Sequence, residues 1–144
     1  MGWSRRKLLL AGGGVICARA LGCGSEPIVL PKEIPAGTAS GVGLNTLTVV
    51  AAAPVAIGRD AGGIYAMTLV CTHQGCDIPH SGGGSVTFNR IHCGCHGSEF
   101  NGQGAVQLGP ATRALDHLQV TADAAGALTI HGDQVVPASE RLNV

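Results

Sequence analysis

Two short segments of this chain hold four of its six cysteines and two of its six histidines. They read C-T-H-Q-G-C at residues 71 to 76 and C-G-C-H-G-S at residues 93 to 98. Each segment offers one thiolate and one imidazole at a spacing that a single tight loop can present to one metal centre. A strand that ends just before each segment would place the two loops side by side. The fold must therefore bring these two loops together.

The residues alone leave more than one kind of site open. Pairs of Cys and His at this spacing also describe a structural zinc site with four protein ligands. A redox-active thiol pair at Cys93 and Cys95 is a further alternative, although it would leave Cys71 and His73 without a role. The zinc alternative does not account for the second cysteine of each segment.

The composition favours a single all-β domain rich in turns. The chain has 144 residues, of which 23 are glycine, 45% are hydrophobic and 12% are charged. Its length allows one core, and its glycine content disfavours long helices. Alternating or β-branched runs predict strands at residues 47–50, 55–57, 64–70, 85–91, 105–108, 115–122 and 128–131. No segment shows sustained helical periodicity.

A third segment, F-N-G-Q-G-A-V-Q-L-G-P-A at residues 100 to 111, completes a pattern. Together the three segments resemble the Rieske proteins over roughly residues 47 to 132. The resemblance is to the disulfide-bearing branch, found in quinol-oxidising respiratory complexes and in related exported oxidoreductases such as arsenite oxidase. It implies an all-β fold, a Rieske-type antiparallel β-sandwich with a small cluster-binding subdomain. Two ligand loops and a proline loop at Gly109-Pro110-Ala111 would form that subdomain.

The resemblance implies one [2Fe-2S] cluster per chain, with Cys71, His73, Cys93 and His96 as its ligands. Two thiolates would hold one iron and two imidazoles the other. Neutral imidazoles lower the negative charge of the cluster, so its reduction potential rises above that of an all-cysteine centre. The other histidines are not favoured as ligands; they are His80, His92, His117 and His131.

The resemblance also assigns roles to the residues around the ligands. Cys76 and Cys95 would form a disulfide that joins the two ligand loops. Ser98 matches the serine that reaches a bridging sulfide in the family. The high-potential members carry a tyrosine two residues later, where this chain has Phe100. We therefore expect a reduction potential below that of the tyrosine-bearing members.

The first 23 residues are typical of a targeting sequence. Ser4-Arg5-Arg6-Lys7 followed by leucines resembles the twin-arginine signal, which exports proteins already folded around their cofactors. The apolar stretch at residues 8–18 is short for a membrane span, so a cleaved signal is favoured over an anchor, and Ala18-Arg19-Ala20 matches the small-x-small pattern of a cleavage site. A lipidated Cys23 and a retained anchor are the alternatives. The predicted location is the periplasm or the outer face of the cytoplasmic membrane.

The rest of the chain divides into three predicted parts. Residues 24–43 are rich in proline and glycine and predict a linker, residues 44–135 form the Rieske domain, and residues 136–144 form a tail. Beyond the leader there are five basic and nine acidic residues, which argues against nucleic acid as a partner. No length remains for the separate catalytic domain of a Rieske oxygenase.

The sequence therefore predicts one-electron transfer, by an exported carrier or an electron-transfer subunit of an oxidoreductase. Its partner would be a cytochrome, the large subunit of an oxidoreductase, or quinol, with possible membrane attachment through the N-terminus. Residues that would make the chain an independent enzyme are not evident. The alternatives are the Rieske subunit of a quinol–cytochrome c reductase and, as a weaker one, a structural zinc domain.

Overall fold

The computed structural model describes residues 26–144. The predicted leader lies outside these residues. The strands are β1 (Ile34–Thr38), β2 (Thr46–Val50), β3 (Val55–Asp60), β4 (Gly63–Thr68), β5 (Ser85–Val86), β6 (Ile91–His92), β7 (Glu99–Phe100), β8 (Val106–Leu108), β9 (His117–Ala122) and β10 (Ala127–Val136). A single turn of 3₁₀ helix, Ala39–Gly41, follows β1. Across this part of the chain, the model contains no helix with the length and apolarity that a membrane crossing requires.

The larger of two antiparallel sheets has six strands in the order β1-β10-β9-β4-β3-β2. Two hairpins formed by neighbouring predicted strands supply its centre. In the first, β3 and β4 pair up to Asp60 and Gly63, so the turn falls within the R-D-A-G-G run at residues 59–63. In the second, β9 pairs with β10. The predicted all-β architecture is confirmed.

The smaller sheet has four short strands in the order β5-β6-β7-β8. Here one prediction is wrong, because residues 85–91 form a tight hairpin rather than a single strand. Thr87 causes the reversal. Its Oγ1 accepts a hydrogen bond from the backbone N–H of Arg90 at 3.0 Å and donates one to the Arg90 carbonyl at 2.8 Å. A hydroxyl that satisfies both backbone groups of Arg90 stabilises a turn that hydropathy does not reveal.

The core divides into two clusters of buried side chains. One lies between the two sheets and includes Cys71, Cys93 and Phe100. The other lies against the six-stranded sheet and is built from aliphatic residues such as Val55, Leu128 and Ile130. Cys71 and Cys93 are thus part of the apolar interior, and the metal-binding loops pack against the core through them.

The predicted boundaries of the domain are too narrow at both ends. Residues 34–38 form an edge strand, in which Ile34 is 1% exposed and pairs with Ile130. Proline is compatible with an edge strand, so Pro35 is not a sign of a linker there. At the other end, β10 continues to Val136 and Leu142 forms a bridge with Ile64. The folded domain therefore extends from the first strand to within two residues of the C-terminus.

Candidate metal centre

The first ligand loop begins soon after β4 ends. Its backbone is closed by two hydrogen bonds, from Cys71 N to Cys76 O at 2.8 Å and from Gly75 N to Cys71 O at 2.8 Å. Gly75 has a φ of 74°, a conformation that other residues adopt at a cost. The six residues thus form a compact loop whose shape depends on glycine in its fifth place.

The second ligand loop begins directly after β6 and repeats this arrangement. Cys93 N donates to Ser98 O at 2.9 Å, and Gly97 N donates to Cys93 O at 3.0 Å. Gly97, again the fifth residue, has a φ of 82°. The two loops therefore share one backbone pattern, although their sequences place histidine third in one and fourth in the other.

The two free thiols of the described residues lie at the start of these loops. Cys71 and Cys93 are both buried, at 3% and 1% exposed. Burial raises the pKa of the Cys71 thiol, and the neighbouring Cys93 thiol raises it further, while the His73 N–H and the Ser98 hydroxyl act in the opposite direction. A buried thiolate here would be costly without a cation to neutralise it, so the pocket suits a thiolate bound to iron.

Cys76 and Cys95 form a disulfide between the two loops, with their Cα atoms 6.7 Å apart. The predicted pairing is therefore present in the structure. The sulfur atoms of Cys76, Cys93 and Cys95 all lie within 4.8 Å of one another. Since two of these sulfurs are bonded to each other, they are not available as thiolate ligands. Cys93 is left to act together with Cys71.

The rings of the two candidate histidine ligands, one from each ligand loop, lie next to each other. The ring centroids of His73 and His96 are 4.8 Å apart and the rings are nearly perpendicular. His96 is exposed and His73 is half-buried. Among the described residues, His73 Nδ1 is a buried atom with no hydrogen-bond partner. Two buried thiols and two adjacent imidazoles form the donor set that a Rieske cluster needs, so these residues fit a [2Fe-2S] group.

The proline loop closes the site from a third side. Ala111 N donates a hydrogen bond to Ser98 Oγ at 3.0 Å, and Ser98 is fully buried. Thr72 Oγ1 donates to the Arg113 carbonyl at 2.5 Å, which ties the first ligand loop to the end of the proline loop. Because Ser98 accepts the Ala111 N–H, its own proton is free to point toward a sulfur atom.

Sequence reasoning missed one residue that shapes the site. Ser81 Oγ accepts a hydrogen bond from Gly94 N at 3.0 Å and donates one to Ile78 O at 2.9 Å. It therefore supports the second ligand loop from the segment that follows the first. The signal was a serine in a glycine-rich stretch, which reads simply as a surface turn.

Each of the remaining histidines of the described residues has a polar neighbour elsewhere. His80 Nδ1 lies 3.0 Å from Asp77 Oδ2, His92 Nδ1 lies 3.4 Å from Glu99 Oε1, His117 Nε2 lies 2.9 Å from Gln103 O, and His131 Nε2 lies 2.9 Å from Thr121 Oγ1. That these four histidines are not ligands stays a prediction.

Curated relatives of the chain are iron-sulfur subunits. It is 43% identical over 58 residues to the cytochrome b6-f complex iron-sulfur subunit of Prochlorococcus marinus (strain MIT 9303), covering 40% of this chain and 30% of that protein. It is 34% identical over 113 residues to the subunit of the same name from Synechococcus sp. (strain JA-3-3Ab), covering 78% of this chain and 62% of that protein. The chain thus spans less than two thirds of the length of these relatives.

A solved structure supports the fold. The apo form of the quaternary ammonium Rieske monooxygenase CntA superposes with a TM-score of 0.51 and 21% sequence identity, covering 74% of this chain and 34% of that one. The family model described as Rieske [2Fe-2S] domain matches residues 27–121, which include both ligand loops and the proline loop. The chain therefore belongs to the Rieske [2Fe-2S] domain family.

Proposed function

We propose that this protein transfers single electrons through one [2Fe-2S] cluster held by Cys71, His73, Cys93 and His96. The observation that carries the proposal is the joining of the two ligand loops by a disulfide, with one buried free thiol and one imidazole on each loop and the two imidazoles adjacent. When bound, the cluster accepts and returns one electron without forming a bond to substrate. Family membership also favours this cluster over the zinc alternative.

The protein contributes burial on one side of the site and access on the other. Cys71 and Cys93 lie in the apolar interior, which excludes water from the sulfur side. His96 is exposed, so its ring forms a short route between the site and a partner. The Ser98 hydroxyl, fixed by the Ala111 N–H, can stabilise the more negative reduced state by donating to sulfur.

The proposed setting is outside the cytoplasm. A disulfide persists in oxidising compartments, which supports the predicted twin-arginine signal at residues 1–23 and a proposed location in the periplasm or at the outer face of the membrane. The partner would be a cytochrome, an oxidoreductase large subunit or quinol. The similarity to cytochrome b6-f iron-sulfur subunits favours a second candidate function, that of a Rieske subunit in a quinol-oxidising complex.

Spectroscopy of the full chain tests the proposal. The protein reduced with dithionite should show the EPR spectrum of a Rieske cluster, with two iron and two sulfide ions per chain. Mixing the reduced protein with ferricytochrome c, and the oxidised protein with a short-chain quinol, then separates the carrier from the quinol-oxidising candidate. Protein that binds zinc and gives no such spectrum would contradict both candidates.

Replacing Phe100 with tyrosine should raise the reduction potential. Phe100 is fully buried in the same cluster as the two free thiols, and the family resemblance implies that a tyrosine hydroxyl there bonds a ligand-cysteine sulfur. A hydrogen bond of about 0.5–1.5 kcal/mol to the reduced state corresponds to a rise of roughly 20–60 mV. Protein film voltammetry measures the change.

Phe88 supplies the matched control, because it is only half-buried and lies outside that cluster. Phe88→Tyr adds the same hydroxyl and should leave the potential within a few millivolts of the wild-type value. An unchanged potential in Phe100→Tyr, with the cluster fully loaded, would show that residue 100 does not tune this centre.

A further inference from the structure

The C-terminal segment holds a buried arginine that the predicted electron transfer does not use. Arg141 donates to both carboxylate oxygens of Asp60, from Nε at 2.9 and 3.1 Å and from Nη2 at 2.8 Å. Its side chain is only 13% exposed. The guanidinium also lies over the ring of Tyr65, 4.5 Å from the ring centroid. An arginine with this many partners is fixed in one position.

The same guanidinium reaches beyond the large sheet. Its Nη2 donates to Gln103 Oε1 at 2.6 Å. Gln103 belongs to the loop between β7 and β8, which starts three residues after Ser98 and leads toward the proline loop. Arg141 is therefore a direct link between the C-terminal segment, the large sheet and the subdomain that carries the metal centre.

Two other residues of the large sheet hold the same loop. Tyr65 donates its hydroxyl to Gly102 O at 2.8 Å. His117 Nε2 lies 2.9 Å from the carbonyl oxygen of Gln103, and burial lowers the pKa of His117, which favours its neutral form. The rings of Tyr65 and His117 are stacked, with centroids 5.7 Å apart. Arg141, Tyr65 and His117 thus form a continuous stack, which we call the clamp. Each of its three members binds Gly102 or Gln103.

The loop at residues 101–104, which the clamp holds, contacts residues around the metal centre at both of its ends. On one side it continues from Phe100, which packs with the ligand cysteines. On the other, Gly104 O accepts a hydrogen bond from Leu115 N, just beyond the proline loop. Movement of residues 101–104 would therefore be transmitted to the groups that surround Ser98.

We propose that Arg141 is a positioning residue, which fixes the cluster-binding subdomain on the large sheet by clamping the loop at residues 101–104. The C-terminal segment then helps to hold the cluster-binding subdomain in place. This inference rests on the proposed function only for its effect on the cluster, since the clamping itself is a property of the polypeptide.

Hydrogen exchange of the full, cluster-loaded chain tests the clamp. In Arg141→Gln the amides of Asn101 and Gly104, which are hydrogen-bonded across this loop, should lose about tenfold in protection, while amides in β3 should keep theirs. Gln103→Leu should give the same local loss. Combining the two substitutions should add little to the loss at Asn101 and Gly104, because both remove the hydrogen bond between Arg141 and Gln103. Arg59→Gln removes a charge next to Asp60 and should leave the loop protected.

A cluster readout separates positioning from general stability. After reduction with dithionite, the Arg141→Gln and Gln103→Leu variants should both show shifted or broadened EPR g values. The Arg141→Lys variant should have g values closer to those of the wild type. Unchanged protection at residues 101–104, or wild-type EPR spectra together with a lowered melting temperature, would overturn the proposal. If Arg141→Gln does not fold, Gln103→Leu alone decides between these outcomes. Because exchange is measured on the backbone, loss of the clamp is distinguishable from failure of electron transfer.

Discussion

Replacing His73 with glutamine is expected to abolish the Rieske-type EPR signal and to lower bound iron by more than about tenfold. The ring of His73 lies beside that of His96, and its buried Nδ1 lacks a hydrogen-bond partner in the described part of the chain. His92 Nδ1 and His117 Nδ1 also lack one, so it is the pairing with His96 that distinguishes His73. A glutamine side chain is close in size but is a poor ligand for iron. Iron and sulfide analysis, with EPR of the dithionite-reduced protein, measures the effect.

His92 provides the control for this substitution. It directly precedes Cys93, is half-buried like His73, and lies 3.4 Å from the Glu99 carboxylate. His92→Gln should therefore retain two iron ions per chain and a wild-type spectrum. A cluster that persists in His73→Gln, or that disappears equally in both variants, would contradict the proposed ligand set.

Removing the disulfide should have the largest effect on stability. The bond between Cys76 and Cys95 closes a loop over a sequence separation of 19 residues, which corresponds to about 3 kcal/mol in the chain-entropy model. For a domain of this size, the double substitution to serine should lower the melting temperature by about 10 °C. Circular dichroism and the cluster's visible absorbance should report the loss together, because the same bond holds the two ligand loops side by side.

Chemical reduction offers a second route to the same state. Wild-type protein treated with a phosphine reductant should melt near the temperature of the double serine variant, and that variant should not respond to the reductant. If the double serine variant has the same melting temperature as the oxidised wild type, the loops are held by their other contacts alone, such as the hydrogen bond from Gly94 to Ser81.

The sequence predicts the metal-binding part of the molecule better than its edges. The ligand loops, the disulfide and the proline loop lie in short segments that resemble those of the Rieske family, so a local match of sequence was enough to indicate them. The two central hairpins are similarly local. Their turns at residues 60–63 and 123–126 carry Asp and Gly, which are strong turn signals.

Features that depend on contacts between distant residues could not be predicted from the sequence. Pro35 suggested a linker, but the strand that contains it pairs with β10 near the other end of the chain. Arg141 looked like part of a polar tail, and its partner Asp60 lies 81 residues away. In both cases a long-range contact overrides the local preference, and no spacing rule reveals which residues will meet.

The repeated closure of the two ligand loops has a consequence for how a partner meets the site. Both loops place their backbone in the same form, with glycine fifth, yet histidine occupies the third place in one and the fourth in the other. This offset of one residue leaves His96 exposed and His73 half-buried. The two imidazoles therefore differ in their exposure to solvent, and the metal centre is more accessible at His96 than at His73. A partner protein that contacts His96 therefore meets a more exposed ring than one that contacts His73.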